Sequence, residues 1–196
     1  MRVIGLTGNF GTGKTTVSQF LTGLGAVTID ADRLGHELLL PDSRAYHELI
    51  SAFGTGILKT DKSIDRQKLA EIAFQDKAAQ NRLNVIMHPK IYELALEKIE
   101  HYKKQGHSVV VLEAALLIEA GWKKPPVDQV WITVAPREVI VNRLTKNRNF
   151  TEEEITARLN KQMPSEEKMK QADVVIDTNC SLEELKARVT ELWQKL

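Results

Sequence analysis

Residues 1–20 read "MRVIGLTGNFGTGKTTVSQF", and this stretch decides the fold. Within it, Gly8-Asn9-Phe10-Gly11-Thr12-Gly13-Lys14-Thr15 satisfies G-x-x-x-x-G-K-[ST] at every fixed position. The apolar run Val3–Thr7 ahead of it reads as a buried strand, and the glycine-rich turn then feeds a helix to about Leu24. Glycines let such a loop wrap a phosphate chain with successive N–H groups pointing inward, and the helix N-terminus adds positive potential. Lys14 is placed to reach the β- and γ-phosphates, and Thr15 to put a hydroxyl on Mg²⁺. The pattern identifies a nucleoside triphosphate cradle and leaves the acceptor open.

Outward from this stretch, Ala26–Asp30, Ser108–Glu113, Val130–Val134 and Val174–Asp177 are further short apolar runs. Ser108–Glu113 contains Val109, Val110, Val111 and Leu112, as a strand covered on both faces requires. Helical spacing occupies Leu34–Leu40, Arg44–Phe53, Asp65–Phe74 and Ala78–Met87, and Pro89 is expected to open a further helix that ends at Gly106. Pro136 opens a helix to about Lys146. Thr151 with Glu154 caps another to about Met163, and Ser181 with Glu184 caps the last. Strands alternating with helices imply a doubly wound parallel sheet. Residues 1–32, 107–142 and 166–196 form the expected core, 33–106 a helical insertion and 143–165 a lid.

The 196 residues include 27 basic and 26 acidic ones, a net charge of +1, so no nucleic acid or anionic membrane surface is expected as partner. No run approaches the roughly 18 apolar residues of a membrane span. A single cysteine, Cys180, excludes an internal disulfide framework and fits a reducing cytoplasm.

The string N-K-x-D by which small GTPases read guanine does not occur, and a motor-type acidic strand end is represented by Glu113 alone. A small-molecule kinase needs an acceptor-side carboxylate, an insertion that binds the acceptor, and an arginine-rich lid that excludes water. Asp30 and Asp32 in "VTIDADRLGHELL" are the carboxylate candidates, expected at the strand rim beside the P-loop of the adjacent strand. Two readings stay open for them: helix capping, or a pair in which one orients acceptor or hydrated Mg²⁺ and the other takes the proton. The lid candidate "NRLTKNRNFTEEEITARLNKQM" carries Arg143, Lys146, Arg148, Arg158 and Lys161. It reads either as a solvated hairpin pairing with Glu152–Glu154, or as a phosphate-neutralising lid in which Arg143 and Arg148 supply the guanidinium forks.

The chain resembles the dephospho-coenzyme A kinases nearly end to end. The resemblance rests on "IGLTGNFGTGKTTV", "IDADRLGHELL", "IDRQKLAEIAF", "LNVIMHPKIYE", "LLIEAGW", and the lid leading to "ADVVIDTN". It implies an α/β fold of the P-loop, nucleoside-monophosphate-kinase-like kind: a five-stranded parallel sheet with an acceptor-binding insertion and a lid. It also implies ATP and dephospho-CoA as substrates, Mg²⁺ as cofactor, and a monomer or weak homo-oligomer. By the same resemblance Asp32 activates the ribose 3′-hydroxyl, Gly11, Thr12, Gly13, Lys14, Thr15 and Thr16 hold ATP, and Arg143 and Arg148 act with Lys14 in catalysis. Asp30, His88 and Leu117 join Asp32 on the acceptor side. His88, before a proline, is expected extended at a helix start, where it bonds backbone or touches substrate. The chain departs from many bacterial members in reading Glu113-Ala114-Ala115 where they carry an Asp before a Pro-Leu-Leu run, so Glu113 would reach the Mg²⁺ water shell through a longer side chain. Trp122 reads as a cleft or a core residue. Another small-molecule P-loop kinase, or a nucleotide-binding regulator, is the competing reading.

Overall fold

The computed structural model describes residues 1–73, 75–122 and 126–196. Phe74 at the end of the expected Asp65–Phe74 helix, and Pro125 before the fourth strand, lie outside the described residues. In chain order the elements are β1 (Arg2–Gly8), α1 (Lys14–Gly23), β2 (Val27–Asp30), α2 (Ala31–Glu37), α3 (Tyr46–Phe53), α4 (Arg66–Ala73), α5 (Lys77–Lys104) and β3 (Val109–Glu113). They continue with β4 (Gln129–Val134), α6 (Arg137–Arg148), α7 (Glu152–Leu159), α8 (Ser165–Met169), β5 (Val174–Asp177) and α9 (Leu182–Gln194).

All pairings within the five-stranded sheet are parallel, in the order β2-β3-β1-β4-β5. Val109 to Leu112 are all buried, and β1 from Val3 onward is buried throughout, because covered parallel strands have no solvent face. On one face, Ile4, Leu6, Val111, Trp131 and Ile176 pack with Val17 and Leu21 of α1 and with Leu185 and Val189 of α9. Burying side chains of this size contributes roughly 1.5–3 kcal/mol each. At the opposite end of the strands two aspartates repeat one device. Asp128 accepts from the Val3 N–H at 2.7 Å, and Asp173 accepts from the Val130 N–H at 2.7 Å.

The chain divides into two compact units, Met1–Asp30 with Ile99–Leu196, and Ala31–Lys98. The second has its own core of Leu38, Tyr46, Leu49, Ile57, Ile64, Leu69 and Met87.

Three expectations need correction. The strand beside β1 is β3 rather than β2, so Asp30 is not at the rim of the strand adjacent to the P-loop; in register Asp30 pairs with Glu113, and Glu113 pairs with Leu6 of β1. A βα unit makes β1 and β2 consecutive in the chain, but the place between them in the sheet is taken by β3, a strand that arrives later. Second, no helix begins at Pro89: α5 runs through it from Lys77 to Lys104. Met87, Leu83, Ile86, Ile91 and Leu94 pack in one core on both sides of the proline. The carbonyl that Pro89 leaves without its helical donor belongs to Val85, which is 74% exposed and open to water. His88 is accordingly helical rather than extended. Third, the helix capped by Thr151 and Glu154 ends at Leu159, short of Met163. Residues after it are drawn off the helical path by bonds to other elements, and Pro164 disfavours helix at Met163. Both capping boxes, Thr151 with Glu154 and Ser181 with Glu184, are present.

Candidate functional site

The site grows from the turn between β1 and α1. Gly11 has φ +80, and a Cβ there would stand 2.7 Å from Leu144 Cδ1 and 2.8 Å from Ile140 Cγ2, so loop backbone lies directly on α6. The Thr12 hydroxyl donates to the Asn9 carbonyl at 2.8 Å and lies 2.8 Å from Thr133 Oγ1 at the end of β4. Thr12 is wholly buried, so its side chain braces the loop and its contribution to a phosphate is limited to backbone. Helix geometry aims the first N–H groups of α1 out of its N-terminus, where Lys14, Thr15 and Thr16 stand. Lys14 Nζ donates to the Gly8 carbonyl at 2.8 Å and lies 3.4 Å from the Asn9 carbonyl.

A cleft of about 440 Å³ opens over this loop. The P-loop from Gly11 to Thr16 forms one wall, Arg143, Asn147 and Arg148 of α6 a second, and Thr178, Cys180 and Leu182 beyond β5 a third. The structure therefore brings together the two arginines, the lysine and the threonines that the sequence singles out. Arg143 is aimed by Thr178: Nη1 donates to Thr178 Oγ1 at 3.0 Å and Nη2 to the Thr178 carbonyl at 2.6 Å. Thr178 in turn donates to the Thr12 carbonyl at 2.9 Å. This buried threonine joins the P-loop, α6 and the end of β5, and sequence reasoning passed over it. Its place two residues past the apolar run Val174–Ile176, at the rim where ligands sit, was the available signal.

In the segment expected as a lid, no ion pair among the described residues joins an arginine to Glu152–Glu154. Arg158 lies over the Phe10 ring at 4.9 Å and the Phe150 ring at 4.5 Å, and those rings meet edge to face at 5.2 Å. Gln162 Oε1 accepts the Phe10 N–H at 2.8 Å. Phe10, inside the P-loop, is thus the seat on which the segment rests. Ile155, fully buried with Ile140 and Leu144, completes that contact.

Thr15, on the cleft wall, is exposed at the start of α1. Other expected site residues fall elsewhere, and Glu113 is half-buried at the end of β3. Together Thr15 and Glu113 offer only oxygen donors, a set suited to a hard divalent cation that keeps water. Among the described residues no group of three or more His, Cys, Asp or Glu is placed to hold a metal ion. Leu117 is wholly buried and packs against Gly5, so its side chain is core rather than acceptor surface; Leu116, 42% exposed, is the apolar residue this turn presents. Trp122 is buried as well, the core alternative. In the second unit Asp32 is exposed in the first turn of α2. His88 is half-buried in α5, and burial holds its imidazole below the usual histidine range.

A family model described as dephospho-CoA kinase matches residues 2–184. A dephospho-CoA kinase of Geobacter sulfurreducens is 45% identical over 195 residues, covering 100% of this chain and 98% of that protein. Among solved structures, TT1252 from Thermus thermophilus superposes with a TM-score of 0.84 at 31% identity, covering 100% of this chain and 97% of that one. A dephospho-CoA kinase from Campylobacter jejuni gives 0.74 at 29% identity, covering 100% and 97%.

Proposed function

The chain belongs to the dephospho-CoA kinase family, and from that premise we propose that it transfers the γ-phosphoryl group of ATP to the ribose 3′-hydroxyl of dephospho-CoA, the last step of coenzyme A synthesis. The observation that carries this reading is the cleft in which Lys14 and Thr15 of the P-loop face Arg143 and Arg148.

In this reading Gly11 to Thr16 hold the triphosphate through backbone N–H groups and the α1 N-terminus. The triphosphate supplies anionic oxygens to Lys14, whose ammonium stands at the Gly8 carbonyl on the loop. Arg143 and Arg148 neutralise charge on the transferring group. Thr178, Cys180 and Leu182 lie on the same cleft and suit the nucleoside end of ATP. Asp32 accepts the proton of the attacking hydroxyl and Asp30 orients the acceptor or the hydrated metal. The insertion 33–106, with His88, forms the acceptor-binding region, and 143–165 acts as the lid. Thr15 and Glu113, the latter through water, are the residues that would hold Mg²⁺, which when bound offsets phosphate charge. Most of the rate comes from positioning and charge neutralisation, because the transition state is loose.

The reading has the chain working in the cytoplasm as a monomer or weak homo-oligomer, without nucleic acid or membrane. A net charge of +1 supports it, and no helix among the described residues is long and apolar enough to cross a membrane. The test is ATP consumption with dephospho-CoA, adenosine, nucleoside monophosphates, or no acceptor. Turnover with dephospho-CoA alone is the expected result. Turnover on a nucleoside or nucleotide would make it a different P-loop kinase, and equal hydrolysis without acceptor would make it a nucleotide switch.

A further inference from the structure

Lys168 lies in the short helix α8 and has no solvent exposure. Its ammonium donates to the Ala115 carbonyl at 2.9 Å and meets Glu119 Oε1 at 2.8 Å, on a side chain that keeps 22% of its surface in solvent. Transferring such a pair out of water costs about as much as its attraction returns, and an apolar pair of similar volume would serve stability as well or better. What the pair does provide is geometry.

The bonds run in a closed ring. The Ala115 carbonyl also accepts from Thr7 Oγ1 at 3.4 Å, in the last turns of β1 before the P-loop. Glu119 Oε1 also accepts the Met163 N–H at 3.3 Å. The Met163 carbonyl accepts from Asn9 Nδ2 at 3.1 Å, and Asn9 follows Thr7 by two residues in the chain. Asn9 is itself buried, and its Oδ1 has no hydrogen-bond partner. An unsatisfied buried oxygen is costly, so an amide at this position is explained by the donor it supplies to the ring. Three strands of chain are tied this way: the P-loop entrance, the turn that follows Glu113, and the segment that follows the lid helix.

We propose that Lys168 is a positioning residue, whose buried ammonium closes this ring and holds the Glu113 end of β3 and the base of the lid at fixed spacing from the P-loop. The proposal rests on the kinase reading above. It makes no contact between Lys168 and either substrate.

The experiment compares wild type, Lys168→Met, and the double variant Lys168→Met/Glu119→Met, which replaces the ion pair by an apolar pair. Measured are kcat, the KM for each substrate, the ATP dissociation constant and its stoichiometry, and the melting temperature. The expected result is a kcat about 10- to 100-fold lower in both variants, the size that a displacement near 1 Å produces. ATP affinity stays within about threefold, because the P-loop contacts are kept, and the double variant melts no lower than the single one. A double variant with kcat within about twofold of wild type overturns the proposal. So does a kcat loss that merely matches the loss of ATP-binding protein, since a structural role alone would produce it. If wild type uses an acceptor other than dephospho-CoA, the functional reading fails, and the same comparison on that acceptor decides the role of Lys168.

Discussion

Replacing Thr178 by valine removes one hydroxyl from the point where the P-loop, α6 and the end of β5 meet. The side chain is 1% exposed, donates to the Thr12 carbonyl at 2.9 Å with the Val134 carbonyl at 3.2 Å, and accepts from Arg143 at 3.0 Å. A hydroxyl has one hydrogen, so the two carbonyls count as one donated bond. Valine matches threonine in shape, which leaves the polar loss as the main effect. Stranding the buried Thr12 carbonyl costs about 1–3 kcal/mol. Arg143 is only half-buried and keeps its bond to the Thr178 carbonyl, so water replaces much of the second loss. The net loss is about 1–3 kcal/mol, or a melting temperature lower by about 2–12 °C for a chain of this size. The KM for ATP should rise severalfold, because Arg143 loses one of two anchors. Denaturant unfolding and an ATP titration measure the two effects, with Thr178→Ser as the control that keeps the hydroxyl. A valine variant within about 0.5 kcal/mol of both wild type and the serine variant would refute the reasoning.

Asp32→Asn should lower kcat by about 10²–10⁴-fold, the range for loss of a general base, while calorimetry finds ATP binding largely unchanged; a near-normal rate removes Asp32 from that role. Gly11→Ala forces a left-handed backbone on alanine, at about 1–2 kcal/mol, and drives its Cβ into Leu144 and Ile140. Unfolding with and without ATP should show lower stability and weaker ligand stabilisation, and an alanine variant equal to wild type in both would contradict the cradle geometry. His88 is held below its ordinary value of 6.5 by burial, so the unfolded chain binds the extra proton first. Stability should therefore fall as pH drops through and below about 6.5. His88→Gln should flatten that slope between pH 8 and pH 5 in thermal melts, and an unchanged slope assigns it to other groups.

The P-loop was legible because eight residues leave little freedom: each glycine, the lysine and the threonine has one task, and a buried strand and a helix flank them. β3 was legible as a run of valines, and its end at Glu113 was found. Its place between β1 and β2 was not, since lateral order is set by contacts far apart in the chain. Pro89 misled because a local rule about proline yielded to a hydrophobic core that grips the helix on both sides of it. Charge picked out the arginines of the expected lid segment, but Arg158 is spent on Phe10 and Phe150, which no spacing rule reveals. Thr178 and Lys168 were missed for a shared reason: each works through partners that are distant in sequence, and a single threonine or lysine carries no pattern.

The strand order also bears on how the protein is made. β1 lies at the centre of the sheet yet leaves the ribosome first, and neither neighbour exists until Val109 and then Gln129 have been synthesised. Ala31–Lys98, by contrast, is contiguous and carries its own core, so it can close while the first strand waits unpaired. Val3 finds the carboxylate of Asp128 only across a separation of 125 residues, and pairings that distant form slowly. A nascent chain stalled before Gln129 is therefore expected to hold a folded Ala31–Lys98 unit and no competent phosphate loop. In translation the nucleotide site, first in the sequence, is the last part of the molecule to be finished.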